Sequence, residues 1–178
     1  MRSNHLVAAL LLALFAVPAP AQARPLKPFA PASLEQIVAS HRGKPFVLLV
    51  WSMDCEFCQA SLDVLSKARA ADPTLDIVTI TTDPISDPVL NTQVETRLAS
   101  LALTGDTWSF ADESPERLRY AIDPAWRGEK PRSYWYDANG KRSAYSGMIT
   151  SAKLAQLRRP QSSLPHAHNA GKPVQLRH

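Results

Sequence analysis

The chain has 178 residues, 45% of them hydrophobic and 20% charged, with a formal net charge of +4. That length and apolar content suit one globular domain with a real core and exclude global disorder. Fifteen prolines against six glycines, without a periodic repeat, exclude collagen-like and solenoid architectures, and two cysteines exclude both a multi-disulfide scaffold and an all-cysteine zinc site.

Met1–Ala23 reads as a secretory signal peptide. Arg2 and His5 precede the apolar run Leu6–Val17, Pro18 and Pro20 break it, and Ala21-Gln22-Ala23 offers small residues for cleavage after Ala23. The run is shorter than the roughly 20 residues a spanning helix needs. A soluble, exported protein is predicted, and in the periplasm a cysteine pair forms a disulfide by default. Charge is uneven along the mature chain. Asp137 is the last acid, and the basic residues beyond it are Lys141, Arg142, Lys153, Arg158, Arg159, Lys172 and Arg177. Residues 24–137 are net acidic, so a basic surface for nucleic acid is not indicated; the C-terminus reads as a solvated basic end or, alternatively, as a weak dock for an acidic partner or anionic membrane surface.

Arg24–Ala32 carries three prolines and reads as an extended lead-in, followed by a domain over 33–159. Ser33 has capping-box spacing to Gln36 and opens a short helix bearing Leu34, Ile37 and Val38, with Gly43 beyond its end. Phe46–Trp51 is continuously apolar, as in a strand buried on both faces. From Cys55 to about Ala70 the apolar positions Cys58, Leu62 and Leu65 follow helical spacing. Leu75–Ile80 reads as a second strand, ended by Asp83-Pro84. Asp87-Pro88 opens a helix with Leu90, Val94, Leu98 and Leu101 on one face, Trp108–Phe110 is a short strand, and Ser114-Pro115 starts another helix. Arg132–Asp137 and Lys141–Ser146 flank Asn139-Gly140, which predicts a hairpin with a tight primed turn. A last helix covers Ser151–Arg159, and 160–178 is a loose basic tail. Strands alternating with helices predict an α/β fold with a mixed, mostly parallel sheet.

The chemistry centres on Cys55-Glu56-Phe57-Cys58, which leaves a buried strand and opens a helix. Unpaired N–H groups at a helix start stabilise an anion, and the thiolate is the reactive form of cysteine. Cys58 falls in register with Leu62 and Leu65 and should be buried, leaving Cys55 exposed. Cys55 would then be the attacking sulfur and Cys58 the resolving one. A plain structural bridge is one alternative, although a loop of three residues yields only about 2 kcal/mol against roughly 3 for a 15-residue loop. A metal site is another; outside the signal and tail its only available histidine is His41. Glu56, beside Cys55, opposes thiolate formation and would tune thiol acidity toward a reducing couple, or serve simply as a helix-start acid.

Trp51-Ser52-Met53-Asp54-Cys55-Glu56-Phe57-Cys58, together with Gly128–Gly140 around Pro131, resembles the thioredoxin-fold thiol–disulfide oxidoreductases, in particular their exported TlpA/ResA-like branch. The resemblance spans roughly Ser33 to Arg159 and implies a thioredoxin-like fold with a closing β-hairpin and C-terminal helix. It implies a cis Pro131 facing the cysteines, a Lys130 backbone that pairs with an extended client segment, and Trp51 as the aromatic near the site. Read without the resemblance, Pro131 is a strand-start proline and Trp51 a core residue. The chain departs from the pattern at Leu49, where many thioredoxins bury an acid, at Asp54 in place of a frequent tryptophan, and at Phe57 in place of a common proline.

The activity implied is disulfide exchange with client proteins through Cys55 and Cys58, as a reductant recharged by a membrane electron donor. The redox-active Cys55–Cys58 disulfide would be its only redox group, with no cofactor or metal. The alternatives are a disulfide-forming oxidant and a copper or other metal carrier using the two thiols.

Overall fold

The computed structural model describes residues 25–158; the expected signal segment 1–23 and tail 160–178 lie outside the described residues. In chain order the elements are β1 (Lys27–Phe29), α1 (Ser33–Ser40), β2 (Phe46–Trp51), α2 (Glu56–Ala71), β3 (Asp76–Pro84), α3 (Pro88–Ser100), β4 (Asp106–Phe110), α4 (Pro115–Ile122), β5 (Arg132–Tyr136), β6 (Arg142–Ser146) and α5 (Ser151–Leu157). The strands form one sheet in the order β1-β4-β3-β2-β5-β6. Pairing is parallel from β1 through β2 and antiparallel at β2–β5 and β5–β6. This is the mixed, mostly parallel architecture expected from the alternation of apolar strands and amphipathic helices. No described helix is long and apolar enough to cross a membrane.

Successive side chains of a strand point to opposite faces, and β2 shows what that does to the core. Val47, Leu49 and Trp51 pack on one face with Cys58, Leu62 and Leu65 of α2 and Val94 and Leu98 of α3. Phe46, Leu48 and Val50 pack on the other with Ile37 of α1 and Leu118 and Ile122 of α4. With both sets of positions buried, every side chain of β2 is apolar, which is why it reads as an unbroken apolar run.

Local signals hold at two helix starts. Asp87 accepts hydrogen bonds from the Val89 and Leu90 N–H groups, Ser114 accepts from Arg117 N–H, and a proline follows each cap. Ser33 departs from the expected capping box. It is the first helical residue, and its buried hydroxyl accepts from Ala30 N–H at 2.9 Å, closing the turn between β1 and α1.

Of three further differences, the first two arise from pairing between distant segments and the third from a hairpin turn. The proline-rich lead-in contributes β1, an edge strand parallel to β4 that buries Phe29. An edge tolerates Pro28, whose missing N–H breaks no inner ladder. β3 runs past Ile80 to Pro84 because β4 continues the pairing across an irregularity between Thr81 and Pro84. The β5–β6 turn is longer than the two-residue primed turn expected. Asp137 N–H donates to Lys141 O, Gly140 N–H donates to Asp137 O, and the Asp137 carboxylate accepts from Asn139 and Lys141 N–H groups. Gly140 takes φ +79°, so Ala138, Asn139 and Gly140 make a three-residue turn with glycine in the left-handed position.

Candidate functional site

Cys55 is the residue that opens α2. Its backbone is extended (φ −97°, ψ 103°), and its Sγ accepts from Cys58 N–H at 3.2 Å, so a sulfur occupies the place where a hydroxyl or carboxylate usually caps a helix. The two cysteines are joined by a disulfide, with Cα atoms 5.1 Å apart. Cys58 is fully buried against the Trp51–Leu62–Leu65 cluster, whereas Cys55 is half-buried. When the bond is open, a thiolate at Cys55 lies where N–H groups and the positive end of the helix favour negative charge. The partly exposed outer residue is open to attack, whereas the inner one is shielded from solvent.

Pro131 opens β5 from the same end of the sheet. The β2–β5 pairing ends at Val50 with Arg132, which sets Pro131 next to the chain leaving Trp51 toward the cysteines. Pro131 is buried, the Lys130–Pro131 peptide bond is cis, and the Pro131 carbonyl accepts from Gly147 N–H at 2.9 Å. Two residues on, Ile149 N–H donates to Ser61 Oγ at 2.9 Å, and Ser61 donates to Phe57 O at 2.7 Å. The β6–α5 loop therefore braces Pro131 against the first turns of α2.

No family model and no curated protein matches the chain. Solved structures do. A secreted Mycobacterium tuberculosis disulfide oxidoreductase homologous to E. coli DsbE superimposes with TM-score 0.53 at 24% identity, covering 67% of this chain and 83% of that one. A DsbF homologue from Corynebacterium diphtheriae gives 0.52 at 15% identity, over 67% of this chain and 73% of the other. A thioredoxin family thiol:disulfide interchange protein from Chlorobium tepidum gives 0.50 at 19%, over 67% and 80%. The fold is thioredoxin-like.

Within this thioredoxin-like domain the loop Ser52–Asp54 is held by residues that no local motif marks. Met53 N–H donates to Asp83 Oδ2 at 2.9 Å, from the extension of β3. Gln59 Nε2 donates to Met53 O at 3.2 Å, and Arg97 of α3 donates to Gln59 Oε1 at 2.8 Å and Asp63 Oδ1 at 2.6 Å. In the sequence Asp83-Pro84 looks like no more than a strand terminator, and its carboxylate gains a role only when β3 extends to the loop. Lys130 is the other missed contact. Beyond its backbone, it sends its ammonium to Ser52 Oγ at 2.6 Å and Thr82 Oγ1 at 3.3 Å. Ser52 donates to Asp54 Oδ1 at 2.5 Å, and Lys130 Nζ lies 3.8 Å from the same oxygen. The Ser52 hydroxyl and then the Lys130 charge hold the Asp54 carboxyl below the usual carboxylate value.

Trp51 lies in the cluster that packs on Cys58 but does not reach the surface. It is fully buried as the third residue of β2 facing α2, so it supports Cys58 from beneath and offers no surface to a client. Leu49 is likewise fully buried, with Thr79 and Ser133 beside it in register and no carboxylate in that row. Glu56 is exposed in the first turn of α2. His41 does not join the cysteines. Its Nδ1 lies 2.8 Å from Ile37 O and its Nε2 3.3 Å from Asp76, the partner of Phe46 at the opposite end of β2. Among the described residues no three His, Cys, Asp or Glu side chains gather as metal ligands.

Proposed function

We propose that this protein is an exported thiol–disulfide oxidoreductase that reduces client disulfides through Cys55 and Cys58. The observation that carries the reading is the half-exposed Cys55 sulfur capping α2, bonded to a buried Cys58. Starting reduced, the Cys55 thiolate attacks one sulfur of a client disulfide. A mixed disulfide forms, and the second client sulfur leaves as a thiolate that takes up a proton. Cys58 then gives up its proton and attacks the Cys55 sulfur, expelling the first client sulfur and closing Cys55–Cys58. Two electrons pass to the client. A dithiol on a membrane-held donor returns them, together with two protons, and resets the pair.

The open end of β5 at Lys130–Pro131 is the place for an extended client segment to add as a strand. Export rests on the signal-like residues 1–23, and the reducing direction on Glu56, whose charge disfavours a strongly stabilised Cys55 thiolate.

Two measurements test this. The reduced protein should cleave the interchain disulfides of insulin, and equilibration with redox buffers should place its potential nearer about −270 mV than about −120 mV. No cleavage would remove the exchange reading; a potential near the upper value would make the protein an oxidant. Fractionation of the native host, with N-terminal sequencing of the mature chain, tests export.

A further inference from the structure

Asp54 stands immediately before the sulfur that must ionise, and Glu56 immediately after it. Two carboxylates flanking one thiol in sequence oppose its thiolate by charge repulsion. Asp83, on Met53 N–H, adds a third acid from β3. On the α3 side Arg97 is engaged by Gln59 and Asp63, further along α2. Lys130 is the cation bound to the Cys55 loop itself among the described residues. Its ammonium donates to Ser52 Oγ, Ser52 donates to Asp54, and the Ser52 carbonyl accepts from Cys55 N–H at 3.3 Å. One short relay therefore links the residue before Pro131 to the Asp54 carboxylate that precedes Cys55 and to the backbone carbonyl that holds Cys55 N–H. The Lys130 side chain is 27% exposed, while that of Asp54 is 85% exposed. The lysine is thus the more enclosed partner, turned inward onto the loop.

We propose that Lys130 is a positioning residue for exchange, whose ammonium offsets Asp54 beside Cys55 and keeps Cys55 a competent nucleophile at neutral pH. This rests on the exchange reaction proposed above and assigns the lysine side chain a role distinct from strand pairing by its backbone.

The test follows the alkylation of Cys55 in the reduced mature protein, in which the thiolate displaces iodide from iodoacetamide. Mass spectrometry of the Cys55 peptide gives the rate at each pH. Lys130→Met should slow alkylation at pH 7 by roughly threefold to tenfold and move the profile to higher pH. Asp54→Asn should move it to lower pH. The double variant Lys130→Met/Asp54→Asn should return to within about twofold of the wild type, since the offending charge is gone. Lys130→Arg should keep the wild-type profile.

A Lys130→Met profile that coincides with the wild type would overturn the proposal. So would a double variant as slow as Lys130→Met alone, because the lysine would then act by packing and not by charge. Asp54→Asn, at an exposed site, reads the charge even if Lys130→Met folds poorly; an unmoved profile there also overturns it. Insulin reduction by the wild type, run in parallel, separates the failures. An inactive wild type sinks the exchange reading, whereas an active one with an unshifted Lys130→Met profile sinks only this inference.

Discussion

The Arg132 guanidinium donates to the Asp123 carboxylate at 3.0 Å, one residue beyond Pro131. Asp123 also accepts from Tyr134 Oη at 3.1 Å and Ala125 N–H at 3.0 Å, and Arg142 lies 3.9 Å away. Both guanidinium groups lie over the Tyr134 ring, at 5.2 and 4.9 Å from its centroid. This cluster, with Asp123 and Tyr134 buried, Arg132 partly buried and Arg142 at its exposed edge, ties the end of α4 to β5 and β6 and so fixes the strand that carries Pro131. Asp123→Asn leaves Arg132 partly uncompensated and should cost about 3 kcal/mol in urea unfolding at pH 7. A loss within about 0.5 kcal/mol would mean that the cluster behaves as a solvated surface pair.

The same carboxylate predicts an acid limb. Burial pushes its pKa up, but the hydrogen bonds from Ala125, Arg132 and Tyr134 and the charge of Arg142 pull it down further, to a net position below its ordinary 3.8. A lowered native pKa contributes stability that is present above the unfolded value and is lost as pH falls through the native one. Melting temperature should therefore fall below about pH 4, and Asp123→Asn should flatten part of that fall. Parallel wild-type and variant curves over this range would contradict it.

Ser61 serves two backbone groups at once, Phe57 O and Ile149 N–H, and is fully buried. Ser61→Ala strands the Ile149 donor away from water and should cost about 1–3 kcal/mol. Amide exchange at Ile149 should speed up while that at Gly140, at the far end of the hairpin, stays put. Unchanged exchange at Ile149 would show that the β6–α5 loop does not depend on this serine.

The asymmetry of the cysteines assigns the trapping variant. Cys58→Ala keeps the accessible sulfur and removes the one that resolves, so mixed disulfides with clients should accumulate on non-reducing gels. Cys55→Ala should trap none. Equal trapping by both variants would reverse or erase the assigned roles.

Glu56 is exposed beside Cys55, and removing its charge favours the neighbouring thiolate. Glu56→Gln should raise the alkylation rate of reduced Cys55 at pH 7 by about twofold to fivefold. No change would leave Glu56 as an acid that merely suits a helix start.

What the sequence by itself determined is local in cause. The apolar run of β2, the helical register of Cys58 with Leu62 and Leu65, and the caps at Asp87 and Ser114 depend on contacts within a few residues. Their period or residue type therefore announces them. The placement of Cys55 at a helix start follows from the same short-range pattern. Tertiary structure alone decided the rest. β1 exists because β4 supplies a ladder for it, and Asp83 supports the loop because β3 extends beyond its apolar core. Trp51 points inward because the pleat of β2 turns it toward α2. Lys130 meets Ser52 across 78 residues of sequence and Ile149 meets Ser61 across 88. Such pairs carry no signature in either neighbourhood. Strand register and packing bring them together, and a polar side chain in a loop becomes part of the site only when its partner arrives.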